Sequence, residues 1–159
     1  LLDPPYSLDT GGRYTADSGD GWIAGVRFME RGRTVTAAAD GSRLRFLEHS
    51  ATFNGAGELR SVPLDPDGHV SPSAAPRRLA PNVTDYHELP DGRLVVAADQ
   101  PYDGPHNRVL LVDERAGTAR VLAAGAPSYY RIPGSTDILA VRQNADDTYD
   151  LVRVAIPPP

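Results

Sequence analysis

The chain has 159 residues, 40% hydrophobic and 23% charged, with 16 basic against 21 acidic side chains and a net charge of −5. That acidic balance argues against nucleic acid and anionic membrane surfaces as partners, which need a basic patch to displace counterions from phosphates. Every basic residue is arginine and there is no cysteine. Lysine Schiff bases, a phosphate-loop lysine, disulfides and thiolate zinc sites are therefore excluded. No run of 18 apolar residues exists to span a membrane.

The lysine-free, Ala-, Gly- and Pro-rich composition points to a GC-rich bacterial genome rather than to a function. The chain opens Leu1-Leu2-Asp3-Pro4-Pro5 with no initiating Met and no signal-peptide pattern. Together with the run Pro157-Pro158-Pro159, this predicts a mature, exported or excised piece of a longer product, leaning periplasmic or secreted.

Taken in chain order, the signals are those of strands. Residues 6–16 resemble a third-strand, turn and fourth-strand pair, with Gly11-Gly12 at the turn. Asp17-Ser18-Gly19-Asp20-Gly21 follows, with spacing unlike an EF-hand loop. Short apolar or β-branched runs then recur over 22–29, 33–38, 44–48, 59–64, 93–98, 109–113, 119–123, 138–142 and 151–156. Gly and Pro, 15 of each, punctuate the chain, and no stretch of a dozen residues holds a helical apolar stripe free of them. Strands at this interval predict an all-β sandwich, barrel or propeller.

One stretch occurs three times with drift: 84–99, 129–141 and, more weakly, 35–47. Each is a strand, a polar turn and a second strand, followed by a loop and a third strand. Pro90-Asp91-Gly92, Asp40-Gly41 and Pro133-Gly134 supply the positive-φ position of a tight hairpin. Gly68 and Gly117 sit at matching places before a fourth strand. The pattern defines repeats of about 34–80, 82–124 and 127–156, the last running out after its third strand, within a single all-β domain over 1–159. Residues 1–33 then supply extra or closing strands.

The segment 84–123, with Pro90-Asp91-Gly92-Arg93 and Asn107-Arg108-Val109-Leu110-Leu111-Val112-Asp113, resembles one blade of a β-propeller. It is similar to the TolB-like and broader WD40-like repeat families, although 84–123 carries neither the Trp-Asp nor the Gly-His pair of WD40 repeats. The resemblance implies a propeller-like array of about three four-stranded antiparallel repeats. Propellers typically have four to eight blades. Three repeats therefore predict a homodimeric ring, the remainder of a larger propeller, or a different fold: a β-trefoil or another barrel or sandwich.

In such a blade the second-to-third-strand loops and the inter-repeat loops share one face. Those loops carry His49 and Asn54; Tyr102, Asp103, His106 and Asn107; Tyr129; and Asp146, Asp147 and Tyr149. These ten are the candidate ligand-binding residues. Asp103 with His106 has the chemistry of a base and its orienting partner or of two metal ligands, yet the loop also reads as a polar hairpin whose Asp and Asn bond locally. Asp146, Asp147 and Asp150 suit a hard cation or a solvated acidic turn. His87 falls on a strand as a packing residue. Of Tyr129 and Tyr130, alternation puts one ring inward and one outward. The four histidines lack metal-ligand spacing, and no G-x-S-x-G elbow exists; no metal, cofactor or catalytic residue is assigned. The leading expectation is a non-catalytic binding or scaffolding module presenting a loop face to a protein or small ligand. The alternatives are a hydrolase or lyase using Asp103 and His106, and a carbohydrate-binding module stacking sugars on Tyr102, Tyr129 and Tyr149.

Overall fold

The structure, a computed structural model, describes residues 7–8, 14–15, 21–23, 26–28, 35–48, 56–71, 73–99 and 106–159. It is all-β: among the described residues every regular element is a strand. The chain divides into two compact units, Leu1–Pro81 and Asn82–Pro159.

In the first unit, β1 (Ser7–Leu8) and β2 (Tyr14–Thr15) pair as a two-stranded sheet. A larger sheet runs in the order β3 (Gly21–Ile23), β4 (Val26–Phe28), β6 (Arg43–Glu48), β7 (Gly57–Pro63), β8 (Arg77–Val83), with β5 (Val35–Ala37) also on β6. The β5–β6 hairpin closes through Gly41, whose N–H donates to Ala38 O at 2.9 Å. Alternate residues of these strands point to one side. Val35, Leu44, Phe46 and Val62 therefore gather there with Val70 into a core that Leu64 and Ala74 cover.

The second unit holds two antiparallel meanders. One has the order β9 (Asp85–Glu88), β10 (Leu94–Ala98), β11 (Arg108–Asp113), β12 (Thr118–Ala124). The other is β13 (Ser128–Arg131), β14 (Ile138–Gln143), β15 (Tyr149–Val154). Gly92 and Gly134 take φ of 86° and 73° in the turns after β9 and β13, a region open to Gly without Cβ strain. All five residues of β10 are buried, so both faces of that strand are covered. This is why Leu94-Val95-Val96-Ala97-Ala98 is a continuous apolar run rather than an alternating one.

The way the two meanders meet follows from their registers. Tyr86 and Pro90 match Tyr129 and Pro133 in sequence, and the second turn is one residue longer, so Leu94 to Ala97 correspond to Ile138 to Val141. The third strands then match position for position. Val112 lies opposite Leu94 as Val154 lies opposite Ile138, and Val109 opposite Ala97 as Leu151 lies opposite Val141. The shared core takes Val95, Ala97, Val109 and Leu111 from the first meander but Tyr129, Ile138 and Ala140 from the second. Those last three correspond to Tyr86, Leu94 and Val96. Opposite faces of equivalent sheets are thus in contact, a head-to-tail stack rather than a face-symmetric pair.

Arg93 closes the unit. It lies almost wholly inside, donates to the Asp91 carboxylate at 2.9 and 2.6 Å, and donates to Pro157 O at 2.8 Å. The strand after the Pro-Asp-Gly turn therefore holds residues 155–159 against the core, where Ile156 packs.

Candidate functional site

Three of the segments expected to converge in the second unit are tied together by backbone hydrogen bonds. Ala126 N donates to Asn107 O at 3.1 Å, and Gln143 N donates to Gly125 O at 2.9 Å. The start of β11, the β12–β13 connection and the β14–β15 turn therefore lie on one edge. His49, Asn54, Tyr102 and Asp103 lie outside the described residues.

The remaining candidates differ in what they offer. His106 is exposed and Asn107 is buried. Asp99, at the end of β10 with φ of 60°, is ion-paired with Arg108. In the turn, Asp146 accepts from Thr148 N at 3.2 Å and from Thr148 Oγ1 at 2.6 Å, and these bonds hold its carboxyl below the usual range. Asp147, at φ of 61°, accepts from Gln143 Nε2 at 3.1 Å, while Asn144 Nδ2 donates to Thr148 Oγ1 at 3.1 Å. The turn polar groups thus bond mostly to each other and fix its shape. Tyr149, 58% exposed, is the open ring beside them.

Tyr129 is placed differently. Its ring is in the core, its hydroxyl donates to Val95 O at 3.1 Å, and His87 Nδ1 sits 2.9 Å from the same oxygen. The outward ring of the pair is Tyr130, 60% exposed. Sugar stacking on Tyr129 has no open ring face to use, because β13 alternation and the core behind it claim both sides.

Proton counting settles the His87 tautomer. Tyr129 has one hydroxyl hydrogen, spent on Val95 O, so the imidazole must donate from Nδ1 and keep its lone pair on Nε2. Burial, and after it the nearby Arg131 guanidinium, lowers the His87 pKa from 6.5 to about 4. His87 lines a cleft of about 60 Å³ with Glu88, Arg131, Ser135, Thr136 and Asp137, on the turn side of the two meanders. Drug-sized ligands take roughly 300–1,000 Å³, so this cleft fits a few waters or a small ion. The Asp137 carboxylate is held by Arg153 at 2.8 Å. A general base works best with a pKa near the operating pH, and a His near 4 is poorly matched to neutral catalysis. Sequence reading placed His87 as a packing residue but could not see this cleft, because its core partner Tyr129 is 42 positions away.

Among the described residues, no group of three or more His, Asp or Glu side chains is arranged to hold a metal ion. No family model matches the chain, and no curated protein and no solved structure is significantly similar to it.

Proposed function

We propose that the chain is a run of β-propeller-type blades acting as a non-catalytic binding module, with its ligand or partner taken at the loop edge of the second unit. The carrying observation is the head-to-tail stack: Val95, Ala97, Val109 and Leu111 of one meander pack on Tyr129, Ile138 and Ala140 of the next. Blades stacked in one sense bring equivalent loops to a common rim. The bonds from Ala126 to Asn107 and from Gln143 to Gly125 accord with that rim. Rigid sheets presenting polar loops are the usual scaffold for recognition.

The test is a thermal-shift screen of sugars, nucleotides, amino acids and short peptides, with hydrogen exchange to locate each hit. Ligands that raise the melting temperature should slow exchange at 106–107, 124–128 and 143–149. Hits that protect only 87–90 and 131–137, or that are turned over, overturn this reading.

A further inference from the structure

The cleft beside His87 is walled by two segments of the second unit, the end of β9 and the β13–β14 turn. Bonds within the turn hold its hydroxyls in place. Ser135 N donates to Ile132 O at 3.1 Å, and Asp137 N donates to Ser135 Oγ at 3.0 Å. Ser135 Oγ therefore accepts from the backbone and keeps its own hydrogen to give. The Thr136 hydroxyl has no hydrogen-bond partner among the described residues.

Charge narrows the ligand. The Asp137 carboxylate is taken by Arg153 at 2.8 Å. The Glu88 carboxylate lies beside Gly92, with Oε1 3.9 Å from where a Cβ there would stand. Arg131 is exposed at the rim and makes no ion pair among the described residues. Its guanidinium is close enough to act on the His87 ring, and it carries only donors. One cation and two hydroxyls thus suit an oxyanion. His87 adds a condition. Its Nδ1 is committed to Tyr129, so the neutral ring offers a lone pair at Nε2, which a bare anionic oxygen cannot satisfy.

We propose that this cleft binds a small oxyanion that keeps a proton at neutral pH, the class of hydrogen phosphate. Arg131, Ser135 and Thr136 donate to its oxygens, and its O–H donates to His87 Nε2. A fully deprotonated oxyanion of the same size sets acceptor against acceptor there, and the unmet bond costs affinity. Phosphate monoesters lose their last proton near about pH 6, so the site refuses them together with sulfate. Glu88, a carboxylate on the same wall, keeps the affinity low. This inference does not depend on what the loop edge binds, and inorganic phosphate is not one of the organic ligands by which that edge is tested.

The test is an NMR titration of the full chain at pH 7.5 and constant ionic strength with inorganic phosphate, sulfate and methyl phosphate in turn. Phosphate should move the His87 ring and the Ser135 and Thr136 amides saturably in the millimolar range. Sulfate and methyl phosphate should bind more weakly by about tenfold or more. Arg131→Gln, at an exposed position, should keep the melting temperature and weaken phosphate by about tenfold. His87→Gln should bring sulfate level with phosphate, because a carboxamide can turn its NH₂ to the anion. Any of three results overturns the proposal. These are no saturable shift at tens of millimolar phosphate, sulfate or methyl phosphate binding the unaltered chain as tightly as phosphate, and phosphate binding untouched by Arg131→Gln.

Discussion

The His87 imidazole is protonated at different pH in the folded and unfolded chain, and stability depends on pH as a result. Unfolded, it titrates near 6.5; folded, burial and then Arg131 hold it at about 4. As pH falls below 6.5 the unfolded chain takes up a proton that the folded chain refuses until about 4, so this group withdraws stability across that window. Denaturant titrations at pH 7 and pH 5 should therefore show a loss that His87→Gln reduces. The His87 ring resonances should titrate well below 6.5. Equal pH dependence in the variant would show that His87 is not the group responsible.

At the level of a strand pair, β6 and β7 contain a local conflict and its remedy. Glu48 and Glu58 lie directly opposite each other, an arrangement that like charges disfavour. Arg60 donates to both, at 2.5 and 2.9 Å, with all three side chains less than a third exposed. Arg60→Ala should therefore cost about 1 kcal/mol, and Glu58→Gln in that background should restore part of it. Additive losses in this double-mutant cycle would mean the bridge is incidental.

Elements of this kind were largely legible in advance. The apolar runs 93–98, 109–113, 138–142 and 151–156 anticipated β10, β11, β14 and β15, and Gly92 and Gly134 marked the positive-φ turns before β10 and β14, whereas the β14–β15 turn takes its positive φ at Asp147. Alternation also anticipated that one ring of Tyr129-Tyr130 would pack and the other face out. Strand β8 (Arg77–Val83) was hidden. Its Pro81 and paired arginines look like a break, yet β8 ends its sheet, where a missing N–H is tolerated. Which ring of the tyrosine pair packs, and the cleft beside His87, depend on which face of each meander meets the next. Local periodicity carries no information about that choice.

Across the molecule, charge and exposed apolar surface act against each other. At pH 7 the net charge of −5 keeps copies apart. Near the sequence pI of about 5.3 that repulsion vanishes. The last sheet still presents Tyr130, Tyr149 and Leu151, each more than half exposed, and contiguous apolar patches drive association once charge no longer opposes it. Static light scattering should therefore rise as pH falls toward 5.3, and Leu151→Asp should suppress the rise. Added charge alone would also move the pI, so Ala119→Asp, on the exposed strand β12, provides the control. If the patch drives association, Leu151→Asp suppresses scattering far more than Ala119→Asp at equal net charge. Equal suppression would assign the effect to charge and leave the open sheet without a part in it.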